Sequence, residues 1–313
     1  MSTDPTRSKT KRERWERDFN SRWQRVESEI RNKIENDSSL DPTNENISSG
    51  QQSADFHDMV EHTVENEVMK PMQSRHVRAG SHYTGKQVRN FYEHGLELAD
   101  DVLREEGLEP PEQSGSDILR QERYNPGFHM DFLEEEYVET YHDLESITND
   151  VISDTTDRYQ HSIRGNMTTA VSGTDLSVSE IGGSPSQIAA PAVLSLLVLN
   201  RIDKVGRYGT KLIAQAKGIE TINDAALNRY AELGIEEVGV DVEEVIVTDD
   251  LASAEWETAG DAAVCDECAA LEGNIYPIEA IRGSADVGYE VPKPPIHPNC
   301  RCFIRPIVSN RHF

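Results

Sequence analysis

Residues 12–35 read RERWERDFNSRWQRVESEIRNKIE. Trp15, Phe19, Trp23, Val26, Ile30 and Ile34 recur at spacings of 4, 4, 3, 4 and 4, which places all six on one face of an α-helix. The remaining faces are charged. From Arg7 to Lys33, ten Lys and Arg stand against five Asp and Glu, in a chain whose formal net charge is −26. The plain reading is an amphipathic helix that packs its aromatic stripe on a neighbour. The sharper reading is a basic docking arm for an acidic partner or for DNA.

Outward from that helix, residues 36–52 (NDSSLDPTNENISSGQQ) are polar, rich in turn formers and without periodicity, and read as a flexible linker. Helical spacing resumes with Phe56, Met59, Val60, Val64 and Val68 up to Pro71. It returns with Val88, Phe91, Tyr92, Leu96, Ala99 and Leu103 up to Gly107. Residues 107–117, with Pro110 and Pro111, read as a break. A third helical region runs from Met130 through Tyr137 and Leu144 to Ile163, and Ser172 to Ser186 reads as a loop. Further helices are expected over Ala192 to Ile202, Leu212 to Ala216 and Ile222 to Leu233, with Gly234 as a C-cap. From 235 onward EEVGVDVEEVIVTDD alternates Val and Ile with acid residues, a strand signature, and Ser253 to Thr258 reads as a further short strand.

The resulting expectation is a mainly α protein. A tethered helix over 1–35 and a linker over 36–52 precede an extended helical body over 53–234. A small α+β domain over 235–313 closes the chain and is stabilised by zinc.

Composition excludes several classes. Ile188 to Leu199, the longest apolar run, is about a dozen residues and is broken by Pro191 and Ser195, short of the roughly 20 a membrane span needs. No basic-headed apolar leader opens the sequence, so neither a membrane protein nor Sec export is expected. The dispersed acid, with Arg outnumbering Lys, repels phosphate over most of the surface and suits a protein from a high-salt cytoplasm; the competing reading is a mesophilic protein with an acidic binding face.

All four cysteines fall near the carboxyl end, as Cys265-Asp-Glu-Cys268 and His297-Pro-Asn-Cys300-Arg-Cys302. A C-x2-C pair supplies two positions of a tetrahedral zinc and an H-x2-C pair the other two, so one ion would clamp the chain between them into a closed loop. Cys265, Cys268, His297 and Cys300 are the expected ligands, with Cys302 as the alternative. A disulfide or free thiols, a redox C-x-x-C and a catalytic zinc remain open alternatives. The last lacks any H-E-x-x-H or H-x-E sequence to supply a general base.

The stretches EWETAGDAAVCDECAALEGNIYPI (255–278) and PPIHPNCRCFIRPI (294–307) resemble the C-terminal signature of the phage Mu F-like family, the head morphogenesis or minor head proteins of tailed viruses. The matching positions are Trp256, Thr258, Asp261, Cys265, Cys268, Leu271, Gly273, Pro294, Pro295, His297, Pro298, Cys300, Arg301 and Cys302. Val205 to Val238 is similar, more softly, to the family's preceding helical run. The resemblance implies a non-enzymatic virion component in the capsid interior or at the portal vertex, assembled in the host cytoplasm. The portal protein, the major capsid protein or both are then its expected partners, while the basic N-terminal helix is open to contact with either protein or packaged DNA. With the high-salt composition, the implied source is a virus of a halophilic archaeon. The alternative is a zinc-dependent nucleic-acid-binding protein or nuclease, which the acid residues around the cysteines disfavour.

Overall fold

The computed structural model describes residues 4–41, 46–72, 83–122, 127–163, 196, 199–232, 253–283 and 288–307. The chain is mainly helical, with a few short strands and the Cys/His cluster near its carboxyl end. Among the described residues no helix is long and apolar enough to cross a membrane. The long helices are α1 (Lys9–Asn36), α2 (Ser49–Val64), α3 (Tyr83–Glu105), α5 (Phe128–Ile163) and α6 (Tyr208–Glu232), with a short α4 (Gly115–Glu122). The strand expected over 236–250, the loop over 172–186 and most of the helix expected over 192–202 lie outside the described residues.

The chain divides into two compact units. Unit 1 comprises Met1–Arg14, Ser74–Thr140 and Leu212–Phe313; unit 2 comprises Trp15–Gln73 and Tyr141–Lys211. This differs from the division read off the sequence. The segment expected as a separate small domain from 235 belongs with helices of unit 1, and the body expected over 53–234 is shared between the two. The reason is chemical, because the C-terminal strands have few apolar side chains and complete their burial and polar bonding on α3 and α6.

Unit 2 is organised by the stripe of α1. Trp15, Phe19, Trp23, Val26, Ile30 and Ile34 are all buried, together with Phe56, Val60, Val64, Leu144, Val151 and Tyr159. The tethered-arm reading therefore needs correction: the apolar face of α1 from Trp15 onward is spent inside its own chain. Trp23 donates from Nε1 to Thr210 Oγ1 at 3.2 Å, and its ring lies so close to Gly206 that an added Cβ would come within 2.9 Å. Phe56 and Tyr159 stack with ring centroids 4.1 Å apart, and the Tyr159 hydroxyl donates to the Leu40 carbonyl at 3.1 Å. That bond falls in the stretch expected as linker, where Ser38–Leu40 forms a 3-10 turn, Leu40 is buried, and α2 begins at Ser49 behind a Ser48 N-cap. Beyond α2 the helix widens into a π turn over Glu65–Met69, in which Lys70 N–H reaches back to the Glu65 carbonyl. The wider turn lets Pro71, which has no N–H, sit in the final turn at Lys70–Met72.

Unit 1 has a helical layer of α3, α4, the first part of α5 and α6 from Leu212. Gly95 of α3 meets α6 so closely that a Cβ would lie 2.5 Å from the Ile222 carbonyl oxygen. A buried polar chain runs through this layer. Arg229, fully buried, donates to Asp100 at 2.6 Å and to Glu232 at 2.7 Å, and Glu232 meets His129 Nε2 at 2.7 Å. His129 Nδ1 lies 2.7 Å from the Tyr92 hydroxyl, which accepts from Asn228 Nδ2 at 2.9 Å. A neutral imidazole protonated on Nε2 satisfies every link of this chain. Gly107, at φ +85°, ends α3 as Leu108 N–H closes on the Leu103 carbonyl.

Against these helices lies a three-stranded antiparallel sheet in the order β2–β1–β3, formed by β1 (Ser253–Glu257), β2 (Ile275–Pro277) and β3 (Phe303–Pro306). Trp256 of β1 stands opposite Ile304 of β3, and both are fully buried. Short helices α7 (Asp266–Leu271) and α8 (Ile278–Ile281) flank β2. Arg305 of β3 binds Glu106 at 2.7 Å, beyond the end of α3.

Candidate metal centre

The hairpin between β1 and β2 carries the first ligand pair, and the segment entering β3 carries the second. Asp261 opens the first turn, where its Oδ1 accepts from Ala263 N–H at 3.0 Å and its carbonyl from Val264 N–H at 3.1 Å. Cys265 then caps α7, its Sγ accepting from the N–H of Cys268 at 3.4 Å. This hydrogen bond turns both thiols of the C-x2-C pair toward a common point. On the other side, Cys300 N–H donates to the His297 carbonyl at 2.9 Å, which folds His-Pro-Asn-Cys into a matching turn.

The two turns converge. His297 Nε2 lies 3.2 Å from Cys265 Sγ and 3.1 Å from Cys268 Sγ, and Cys268 Sγ lies 3.9 Å from Cys300 Sγ. Ligand atoms of Cys265, Cys268 and His297 form one close group, and those of Cys268, Cys300 and Cys302 form a second, sharing Cys268. All five residues singled out in the sequence are thus brought together, and the cluster could hold a metal ion. They line a small cavity with Ala259, Ala263, Val264, Asn299 and Arg301. Cys268, Cys300 and Cys302 are buried, while Cys265 and His297 are partly exposed. The four thiols are free, and no disulfide joins them.

The donor set is one that a metal ion could use: the spacings approach the edges of a tetrahedron with metal–sulfur bonds of about 2.3 Å, roughly 3.6–3.8 Å. Burial pushes the Cys268 thiol up to about 12. A hydrogen bond from Cys302, aided by backbone N–H groups, pulls Cys300 down to about 5, and the same bond raises Cys302.

Two further contacts hold the cluster. Arg301 forks onto Asp261 through two bonds of 2.7 and 2.6 Å, so the residue between the last two cysteines grips the turn that precedes the first two. Asn223 of α6, fully buried, donates to the Cys302 carbonyl at 3.2 Å and accepts from Ile304 N–H at 2.9 Å. Sequence reasoning missed Asn223. A polar residue in an apolar helical run was its only signal, and nothing local tied it to residues 80 positions away. Comparison with family models, with curated proteins and with solved structures finds no match to this chain.

Proposed function

We propose that this chain is a structural, non-enzymatic minor head protein of a tailed virus, in which Cys265, Cys268, His297 and Cys300 hold a structural Zn2+. Cys302 is the alternative fourth ligand. The observation that carries the metal reading is the convergence of two ligand pairs separated by 28 residues, Asp261 and Arg301 bracing them from either side. Four protein donors complete a tetrahedral shell and leave no position for substrate, which favours a structural ion over a catalytic one. Bound there, the ion would close the segment between α7 and β3 into a rigid loop.

The virion reading rests on the resemblance of residues 255–278 and 294–307 to the phage Mu F-like signature. The metal geometry agrees with it, because the matched residues are the ones that build and brace the cluster. Docking on portal or capsid protein would fall to polar faces. On α1, Lys11, Arg14 and Arg17 are exposed and carry the positive charge that an acidic subunit or packaged DNA would meet.

Virus particles from the host that carries this chain, separated on a density gradient and analysed by mass spectrometry, test the reading. Recovery of the chain in intact heads supports it; recovery only in the unassembled fraction contradicts it. A DNA-cleavage assay with magnesium and manganese tests the nuclease alternative. Cleavage abolished by Cys265→Ser would overturn the non-enzymatic assignment.

A further inference from the structure

Away from the cysteines, three carboxylates meet on α5 and α6 within unit 1. One oxygen each of Glu136, Glu220 and Asp224 lies within 4.8 Å of those of the other two. Two ammonium groups serve them. Lys217 reaches Glu220 at 2.9 Å and the outlying Glu139 at 2.8 Å, while Lys293 reaches Asp224 Oδ1 at 2.7 Å and Glu220 at 4.0 Å. Glu136 and Asp224 are the deepest members, each 5% exposed.

Each of these two has an oxygen short of a donor. Asp224 Oδ2 is buried and accepts no hydrogen bond among the described residues. Glu136 Oε2 has the Thr221 hydroxyl at 3.4 Å, but that hydroxyl's single proton already serves the Lys217 carbonyl at 2.7 Å. Three ionised carboxylates against two ammoniums would leave a negative charge on Glu136, where desolvation makes it most costly.

We propose that Glu136 is kept as the neutral acid at neutral pH and donates its proton to the open oxygen of Asp224, forming a carboxyl–carboxylate pair that fastens α5 to α6. The proton removes the deepest negative charge, leaving Glu220 and Asp224 to Lys217 and Lys293 with exposed Glu139 sharing Lys217, and gives the orphaned oxygen its donor. It also leaves Asp224 a full anion for Lys293, which tethers the proline-rich segment leading to His297. A metal ion fits less well, because the ammoniums of Lys217 and Lys293 already occupy the cation positions beside Glu220 and Asp224.

Burial first, and then the charges of Asp224 and Glu220, push Glu136 up to about 8 against the pull of Lys217 and Lys293. Burial likewise pushes Asp224 up to about 6 against Lys293. A carboxyl raised in this way takes up a proton on folding. Its stabilising contribution is therefore complete below the ordinary value of 4.5 and is lost as pH climbs through about 8.

Urea denaturation of the full chain at fixed salt, from about pH 5 to about pH 9, compares wild type with Glu136→Gln, whose amide keeps a donor in place. The folded-to-unfolded ratio of wild type relative to Glu136→Gln should fall by on the order of tenfold or more across that interval. Infrared spectra of the wild type decide the matter even if the variant does not fold. A carboxylic-acid carbonyl band at neutral pH that bleaches on raising the pH supports the pair. Absence of that band, parallel pH profiles, or saturable magnesium or potassium binding abolished by Glu136→Gln would overturn it.

Discussion

Unit 2 and the C-terminal segment 253–307 are held together by different means. Unit 2 buries three aromatic rings of α1 alone, with a further stacked pair at Phe56 and Tyr159. The C-terminal segment has Trp256, Phe303, Ile304, Ile278 and Ile281 as its larger buried apolar side chains, and three of its remaining buried residues are thiols. The first is stabilised by area removed from water, which survives the loss of any one polar group. The second depends on a few directed contacts, so removing one linchpin should release the whole segment.

The strongest way to break this comparison is to disable the proposed metal site. Chelation, or Cys265→Ser with Cys268→Ser, should free residues 253–283 and 288–307 to exchange amide hydrogens quickly while the amides of α1 and α2 stay protected. Structural zinc sites contribute on the order of 10 kcal/mol in small peptides, which sets the scale of the loss. Uniform exchange across both regions would contradict the contrast. Burial raises the Cys268 thiol well above its ordinary value, so a bound ion would have to displace its proton, and zinc affinity should strengthen as pH rises from about 6 to about 8.

The converse experiment is Trp23→Ala. It empties the space against Gly206 and frees Thr210, and should cost about 3–5 kcal/mol in urea denaturation while zinc content is unchanged. Smaller still is Asn223→Ala, which strips the Cys302 carbonyl and the Ile304 N–H of their buried partner and should cost about 1–3 kcal/mol. The smallest effect is expected from Asp261→Asn. It weakens the fork with Arg301 at a partly exposed position, and zinc affinity measured by competition with a chromophoric chelator should fall roughly tenfold.

The two regions were also legible in the sequence to different degrees. The stripe of α1 could be read because six residues at helical spacing report burial directly, and the convergence of the Cys/His cluster because paired side chains at such spacings carry their own geometry. What escaped depends on tertiary contact. Helix α4 follows Pro110-Pro111, opens on Gly115 and carries only Ile118 and Leu119 as apolar signal. It forms where Gly115 lets the chain close on Leu96 of α3. Helix α6 was read as two pieces around Lys217-Gly218, yet it runs unbroken from Tyr208 to Glu232. A side chain at Gly218 would crowd Phe91 and Arg12 at about 3.1–3.2 Å, so the glycine marks a packing site rather than a stop. Residues 36–52 lack periodicity, yet within them Leu40 is buried and its carbonyl accepts from the Tyr159 hydroxyl.

Zinc content and thiol reactivity of the natively purified chain, measured before and after chelation, bear most directly on the claim that this cluster is a metal knot. One zinc per chain is predicted, with thiols that react slowly until the ion is removed and rapidly afterwards. A metal-free chain whose cysteines react alike in both states would contradict it.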